Sequence, residues 1–143
     1  MLFPKKVKYR KWQSGRKNEK VQWAPETRGI SLAFGSFGLK AMSPARVRSN
    51  QIESARKATS RTIGKTGKMW TRIFPDRPYT SKPAQMGMGK GKGDLQGYVF
   101  EVRPGRVLFE VDGVDEGTAV KALMKAGAKL PVKTKVVRRA PKE

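Results

Sequence analysis

The feature that most limits the fold is how the apolar residues are parcelled out, in short alternating runs cut off by glycine or proline. In "KMWTRIF" (residues 68–74), Met69, Thr71 and Ile73 fall on one side, Trp70, Arg72 and Phe74 on the other, and Pro75 closes the run. "YVFEV" and "RVLFEV" follow, and the "RPGR" between them reads as a hairpin turn. "VKTKVV" is a last alternating strand, and "ISLAFGSFGLKAM" (residues 30–42) is apolar enough for another, interrupted by Gly35 and Gly38. Strands this short cannot hold a face alone and have to pair into a sheet.

Two stretches have helical spacing instead. Asn50 suits an N-cap with Glu53 three residues on, a capping-box pattern. Ile52, Ala55, Thr59 and Ile63 then form an inner stripe, Lys57, Arg61 and Lys65 a basic one, and Gly64 and Gly67 end the helix. A second helix is expected over Gly117–Lys129, with Val120, Leu123, Met124 and Gly127 inward and Lys121, Lys125 and Lys129 outward; Pro131 stops it. The expected architecture is α+β: a mostly antiparallel sheet with two helices packed on it, a basic N-terminal arm and a Gly-rich loop. Residues 1–29, broken by Gly15, Pro25 and Gly29, read as the arm, ordering on a partner. Residues 30–138 read as one RNA-binding domain and 139–143 as a tail. Trp70 and Phe109 are expected to lie between sheet and helices. Residues 75–93, with three prolines and four glycines, look too broken for a regular element.

Charge narrows the function. The 143 residues hold 32 Lys and Arg against 11 Asp and Glu, a formal net charge of +21, which calls for a polyanionic partner. The basic residues gather in 1–20, 40–72 and 119–143, whereas 94–118 is acidic. No apolar run approaches the roughly 18 residues needed to span a bilayer, and "MLFPKKVKYRK" does not read as a secretory signal. Without cysteine there are no disulfides or thiolate metal sites; without histidine the commonest general base and metal ligand are missing.

"MGMGKGKG" (residues 86–93) tempts a nucleotide-binding reading, but Gly87 is one residue too close to Gly91-Lys92 for a P-loop, and Gly93 replaces the magnesium-binding hydroxyl. A phosphate-handling enzyme would use Lys90 and Lys92 on a nucleotide and Asp112 or Asp115 on magnesium; this is the rival to RNA binding, with DNA compaction a third class. Asp115 and Glu116 are more simply read as acidic residues at a helix start. Glycine lets a backbone approach an anion closely. Trp12, Trp23, Phe34 and Phe37 sit among basic residues, where an aromatic ring can stack on a base.

The stretches "PKKVKYRKWQSGR", "FGSFGLKA", "QIESARKATSR", "GKMWTRIFPDRPYTSKP", "MGKGKG", "PGRVLFEVDGV" and "AKLPVKTKVV" cover nearly all of the chain. In this order they resemble the family of large-ribosomal-subunit protein sixteen, in its bacterial or organellar form. The chain departs from that pattern at residues 17–29, which are longer, and at Gly87, where the family often has arginine. The resemblance implies a structural protein with no enzymatic activity, cofactor or metal, in a cytoplasmic or organellar ribosome. Its partners would be large-subunit ribosomal RNA, tRNA and other large-subunit proteins, with no membrane and no small-molecule substrate. The residues expected on ribosomal RNA are Lys5, Lys6, Lys8, Arg10, Lys11, Arg16, Lys40, Arg46, Arg48, Arg56, Lys57, Arg61 and Lys65. Lys82, Met86, Gly87, Met88, Gly89, Lys90, Gly91, Lys92 and Gly93 are expected in a loop beside the aminoacyl-site tRNA, pointing to the peptidyl transferase centre.

Overall fold

The computed structural model describes residues 1–13 and 18–140. The elements run α1 (Glu19–Gln22), β1 (Phe37–Ala41), β2 (Ala45–Arg48), α2 (Ser49–Ile63), β3 (Lys68–Thr71), β4 (Arg77–Ser81), β5 (Asp94–Val102), β6 (Val107–Asp112), α3 (Glu116–Gly127) and β7 (Thr134–Arg138). The fold is α+β, but the strands divide between two sheets, one of order β3-β6-β1-β7 and one of order β2-β5-β4. All five strand pairings are antiparallel.

The split corrects the expected hairpin at "RPGR". A turn forms there: the Arg106 amide donates to the Arg103 carbonyl at 3.3 Å, and Gly105 takes φ +100°, the left-handed conformation that favours glycine. The flanking strands then part company. β5 pairs with β2 and β4, and β6 pairs with β1 and β3. The turn is a corner between sheets.

Helix α2 presents the expected stripe, with Ile52, Ala55, Thr59 and Ile63 buried, and Gly64 caps it at φ +67°. Its start differs: Arg48, not Asn50, is the N-cap, and its amide donates to Gln51 Oε1 at 2.9 Å in place of the expected Glu53 partner. Glu53 is held instead by Arg56, at 2.5 Å.

Helix α3 begins at the Asp115 cap, whose carboxylate accepts from the Thr118 amide at 3.3 Å and hydroxyl at 2.7 Å. Its inner face is turned from the expected one. Ala119, Ala122, Leu123 and Ala126 are buried, whereas Met124 is 64% exposed. A reading by side-chain size picks Val120 and Met124, but buried alanines on both helices let α2 and α3 come close together.

The helices cover one face of the four-stranded sheet. A side chain at Gly127 of α3 would run into Thr134 Oγ1; along the register Thr134 lies with Val136, Leu39 and Phe109. Phe109 is fully buried there. Trp70 is not: its register partner is Glu110, so it lies on the opposite face, half-buried against Phe34. The strand expected over 68–74 ends at Thr71, although Ile73 still reaches the core.

One strand lies where irregular chain was expected. β4 forms despite Pro78 because it is an edge strand, where a missing amide costs no ladder bond. The stretch expected over 30–42 narrows to Phe37–Ala41. Before it, Leu32 covers Gly38, and the Ala33 and Phe34 amides donate to the buried Glu110 carboxylate at 2.6 and 3.0 Å. The N-terminal stretch runs along the domain. Ser49 Oγ donates to the Leu2 carbonyl at 2.5 Å, the Glu26 amide to the Pro104 carbonyl at 2.9 Å and the Val107 amide to the Gly29 carbonyl at 2.8 Å.

Candidate nucleic-acid interface

β4 and β5 pair as far as Ser81 opposite Asp94. Residues 82–93 are therefore the excursion of a long hairpin, not a linker. At its base Gly93 lies hard against the Ser81 carbonyl, leaving no room for a side chain. Further out, Gly89 (φ +104°), Lys90 (φ +59°) and Gly91 (φ +91°) form a left-handed run, a conformation that side chains disfavour. Gly87, Gly89 and Gly91 each face open space, and Met88 is fully exposed.

The three loop lysines are placed differently. Lys82 Nζ donates to the Gly89 carbonyl and so braces the loop from inside. Lys92 Nζ donates to the Trp12 carbonyl of the N-terminal stretch. Lys90 is exposed and makes no hydrogen bond or ion pair with a described residue. Arg77 strengthens the second tie. Its Nη2 donates to the Gln13 carbonyl at 2.8 Å, and its guanidinium lies 5.6 Å from the Trp12 ring centre. Residues 12–13 and the loop base are thus one unit, which no local sequence pattern signals.

The magnesium ligands of the enzyme reading have structural duties. Asp112 accepts from Ser36 Oγ at 3.1 Å and from the Gly113 amide at 2.8 Å. Asp115 caps α3, and its bonds to Thr118 hold its carboxyl below the usual carboxylate range. Asp112 ends β6 and Asp115 follows it, in the other sheet from the strands that carry the Gly-Lys loop.

The remaining basic residues form several surfaces. On α2, Lys57 and Arg61 are exposed opposite the buried stripe, and Lys65, expected to continue it, is exposed in the turn just past the Gly64 cap. Arg56 is drawn into the pair with Glu53, whose hydrogen bond lowers the carboxyl and raises the guanidinium. On β2, Arg46 pairs with Glu101 at 3.1 Å, and the Arg48 guanidinium lies 5.5 Å from the Tyr79 ring centre. Lys40 is half-buried on β1. Lys5, Lys6, Lys8 and Arg10 are exposed and Lys11 is half-buried. Arg16 lies outside the described residues. Lys121 and Lys125 are exposed on α3, and Lys129 is exposed just past its Ala128 cap.

Sequence reasoning passed over one cluster. Arg72 Nη1 donates to Glu110 at 3.1 Å, and its guanidinium lies 5.4 Å from the Phe34 ring centre. Phe34 in turn stacks on Trp70. The placing of Trp70 and Arg72 on one side of an alternating run was the available signal.

The chain matches the family model described as ribosomal protein L16p/L10e over residues 4–137. It is 52% identical over 139 residues to the large ribosomal subunit protein uL16 of Thermus thermophilus, covering 97% of this chain and 95% of that protein. The uL16 of Leptospira biflexa is 53% identical over 139 residues, covering 97% and 98%. That of Pseudothermotoga lettingae is 48% identical over 140 residues, covering 98% and 95%.

Proposed function

Because the chain belongs to the ribosomal protein L16p/L10e family and is a structural constituent of the large ribosomal subunit, not an enzyme, we propose how it engages RNA there. The exposed cations of the N-terminal stretch and of α2 and the turn after it, chiefly Lys5, Lys6, Lys8, Arg10, Lys57, Arg61 and Lys65, neutralise ribosomal RNA phosphates. Such contacts position the protein without reading sequence. The 82–93 loop extends from this anchor to a tRNA in the aminoacyl site.

One observation carries the reading: a left-handed backbone run at Gly89–Gly91 with open space where side chains would be. No neighbouring side chain crowds these positions; the positive φ calls for glycine and leaves a bare backbone open for a partner to approach. Lys90 supplies a cation at that point, Lys82 braces the loop through the Gly89 carbonyl, and Lys92 ties its base to the Trp12 carbonyl.

The test is tRNA affinity on ribosomes carrying Gly89→Val with Gly91→Val, expected to fall, and carrying Lys90→Ala, expected to fall less. Normal tRNA binding by the double valine ribosomes would reduce the loop to a spacer. Affinity of the free protein for ribosomal RNA should drop roughly 10³- to 10⁵-fold between about 50 and 200 mM salt if on the order of 6–10 phosphates are neutralised.

A further inference from the structure

The outer face of the four-stranded sheet holds an aromatic surface that this reading leaves unused. Phe34 stacks on Trp70 with ring centres 5.8 Å apart and planes 18° apart. The Arg72 guanidinium lies 5.4 Å from the Phe34 centre. The backbone beneath Phe34 is rigidly held. Glu110, fully buried, accepts from the Ala33 amide at 2.6 Å, the Phe34 amide at 3.0 Å and Arg72 Nη1 at 3.1 Å. Arg139 Nη2 also donates to the Leu32 carbonyl, at 3.4 Å.

This anchor has a cost and an outcome that do not match a packing role. Removing a carboxylate from water is costly before its partners offset it. The ring it positions nevertheless stays 55% exposed. A side chain held only for packing would be covered. Phe34 instead stays more than half exposed on a held backbone, with Trp70 stacked against its ring and the Arg72 guanidinium over it.

We infer that Phe34, backed by Trp70 and Arg72, is a stacking platform for an unpaired RNA base. The inference rests on the RNA-binding reading above and assigns it a second, chemically different contact. The Arg72 guanidinium beside the rings suits a phosphate flanking such a base, and aromatic stacking tolerates any base because each has a π-face. Two rings present too little apolar area to hold a folded protein partner by themselves.

The experiment compares the full chain's affinity for a nine-nucleotide oligoadenylate and for an abasic ribose-phosphate oligomer of equal length and charge. Wild type should prefer oligoadenylate about 5-fold or more. Phe34→Ala should lose most of that preference while keeping its affinity for the abasic oligomer and its salt slope. Phe34→Leu, which keeps an apolar cover over Trp70 but no ring, should behave like Ala, and Phe34→Trp should restore the preference. A preference unchanged in Phe34→Ala and Phe34→Leu overturns the platform, as does an equal loss for both oligomers. If wild type binds neither oligomer, the RNA-binding reading falls with it. A variant that binds both oligomers normally but is missing from large subunits would give the ring to a neighbouring protein, against this inference.

Discussion

Gly127 and Gly89 are the same residue type kept for opposite reasons. At Gly127, on the inner side of α3, an added side chain would run into Thr134 Oγ1. At Gly89 an added side chain would meet nothing, but the backbone stands at φ +104°. The first glycine answers to the chain's own packing. The second answers to no neighbour within the chain, which is why the loop reads as a binding element and the helix–sheet layer as scaffold.

The contrast breaks first if the scaffold is not a packed core. Phe109→Ala should cost about 3–5 kcal/mol, because the ring is fully buried between sheet and helices; a denaturant melt within about 1 kcal/mol of wild type would refute the packed layer. Next is the anchor on the sheet's other face. Glu110→Ala removes the acceptor of two backbone amides and of Arg72 and should cost about 2–3 kcal/mol. Glu110→Gln, which keeps one acceptor oxygen, should cost less in the same measurement.

The two glycines can then be set directly against each other. Gly127→Val should destabilise by about 1–3 kcal/mol through overpacking. Gly89→Val should move the melt by no more than about 0.5 kcal/mol, since an exposed loop relaxes, while impairing tRNA binding on the ribosome. Equal losses of stability at both sites would erase the distinction.

The smallest effect is at the α3 cap. Folding lowers the Asp115 carboxyl through its bonds to Thr118. A lowered folded value contributes stability above the unfolded carboxyl value, and that stability is lost as pH falls through the folded one. Asp115→Ala should therefore melt slightly below wild type at neutral pH, and the gap should close as the pH drops through the carboxylate range. A gap that persists in acid would mean that the cap acts through something other than the charged carboxylate.

Part of this was legible along the chain. The period of Ile52, Ala55, Thr59 and Ile63 is a local property of one helix and appears as read; of the basic residues spaced by four, Lys57 and Arg61 lie on that helix, while Lys65 falls past its Gly64 cap. The α+β class follows from short alternating runs beside two helical ones, and the irregularity of residues 82–93 from glycine itself. Asp115 and Glu116 likewise mark a helix start by their carboxylates, and α3 begins there.

What the sequence could not settle depends on segments that meet only in space. β5 and β6 both look like strands of one hairpin, yet they enter different sheets because residues 45–48 and 77–81 compete for β5 and offer its ladder partners. Pro78 argued against a strand, and only its edge position removes the objection. An isolated Glu110 in an alternating strand gives no sign of burial; it is buried because Arg72 and the Ala33 and Phe34 amides, 38 and 76–77 residues away, converge on it. Sequence by itself determined the charge, the inner stripe of α2 and the bare backbone of the loop, since each is written in adjacent residues. Tertiary structure decided which strands pair, which face of α3 is inward and which aromatic rings stay open, because hydrogen-bond ladders and burial are satisfied between distant segments.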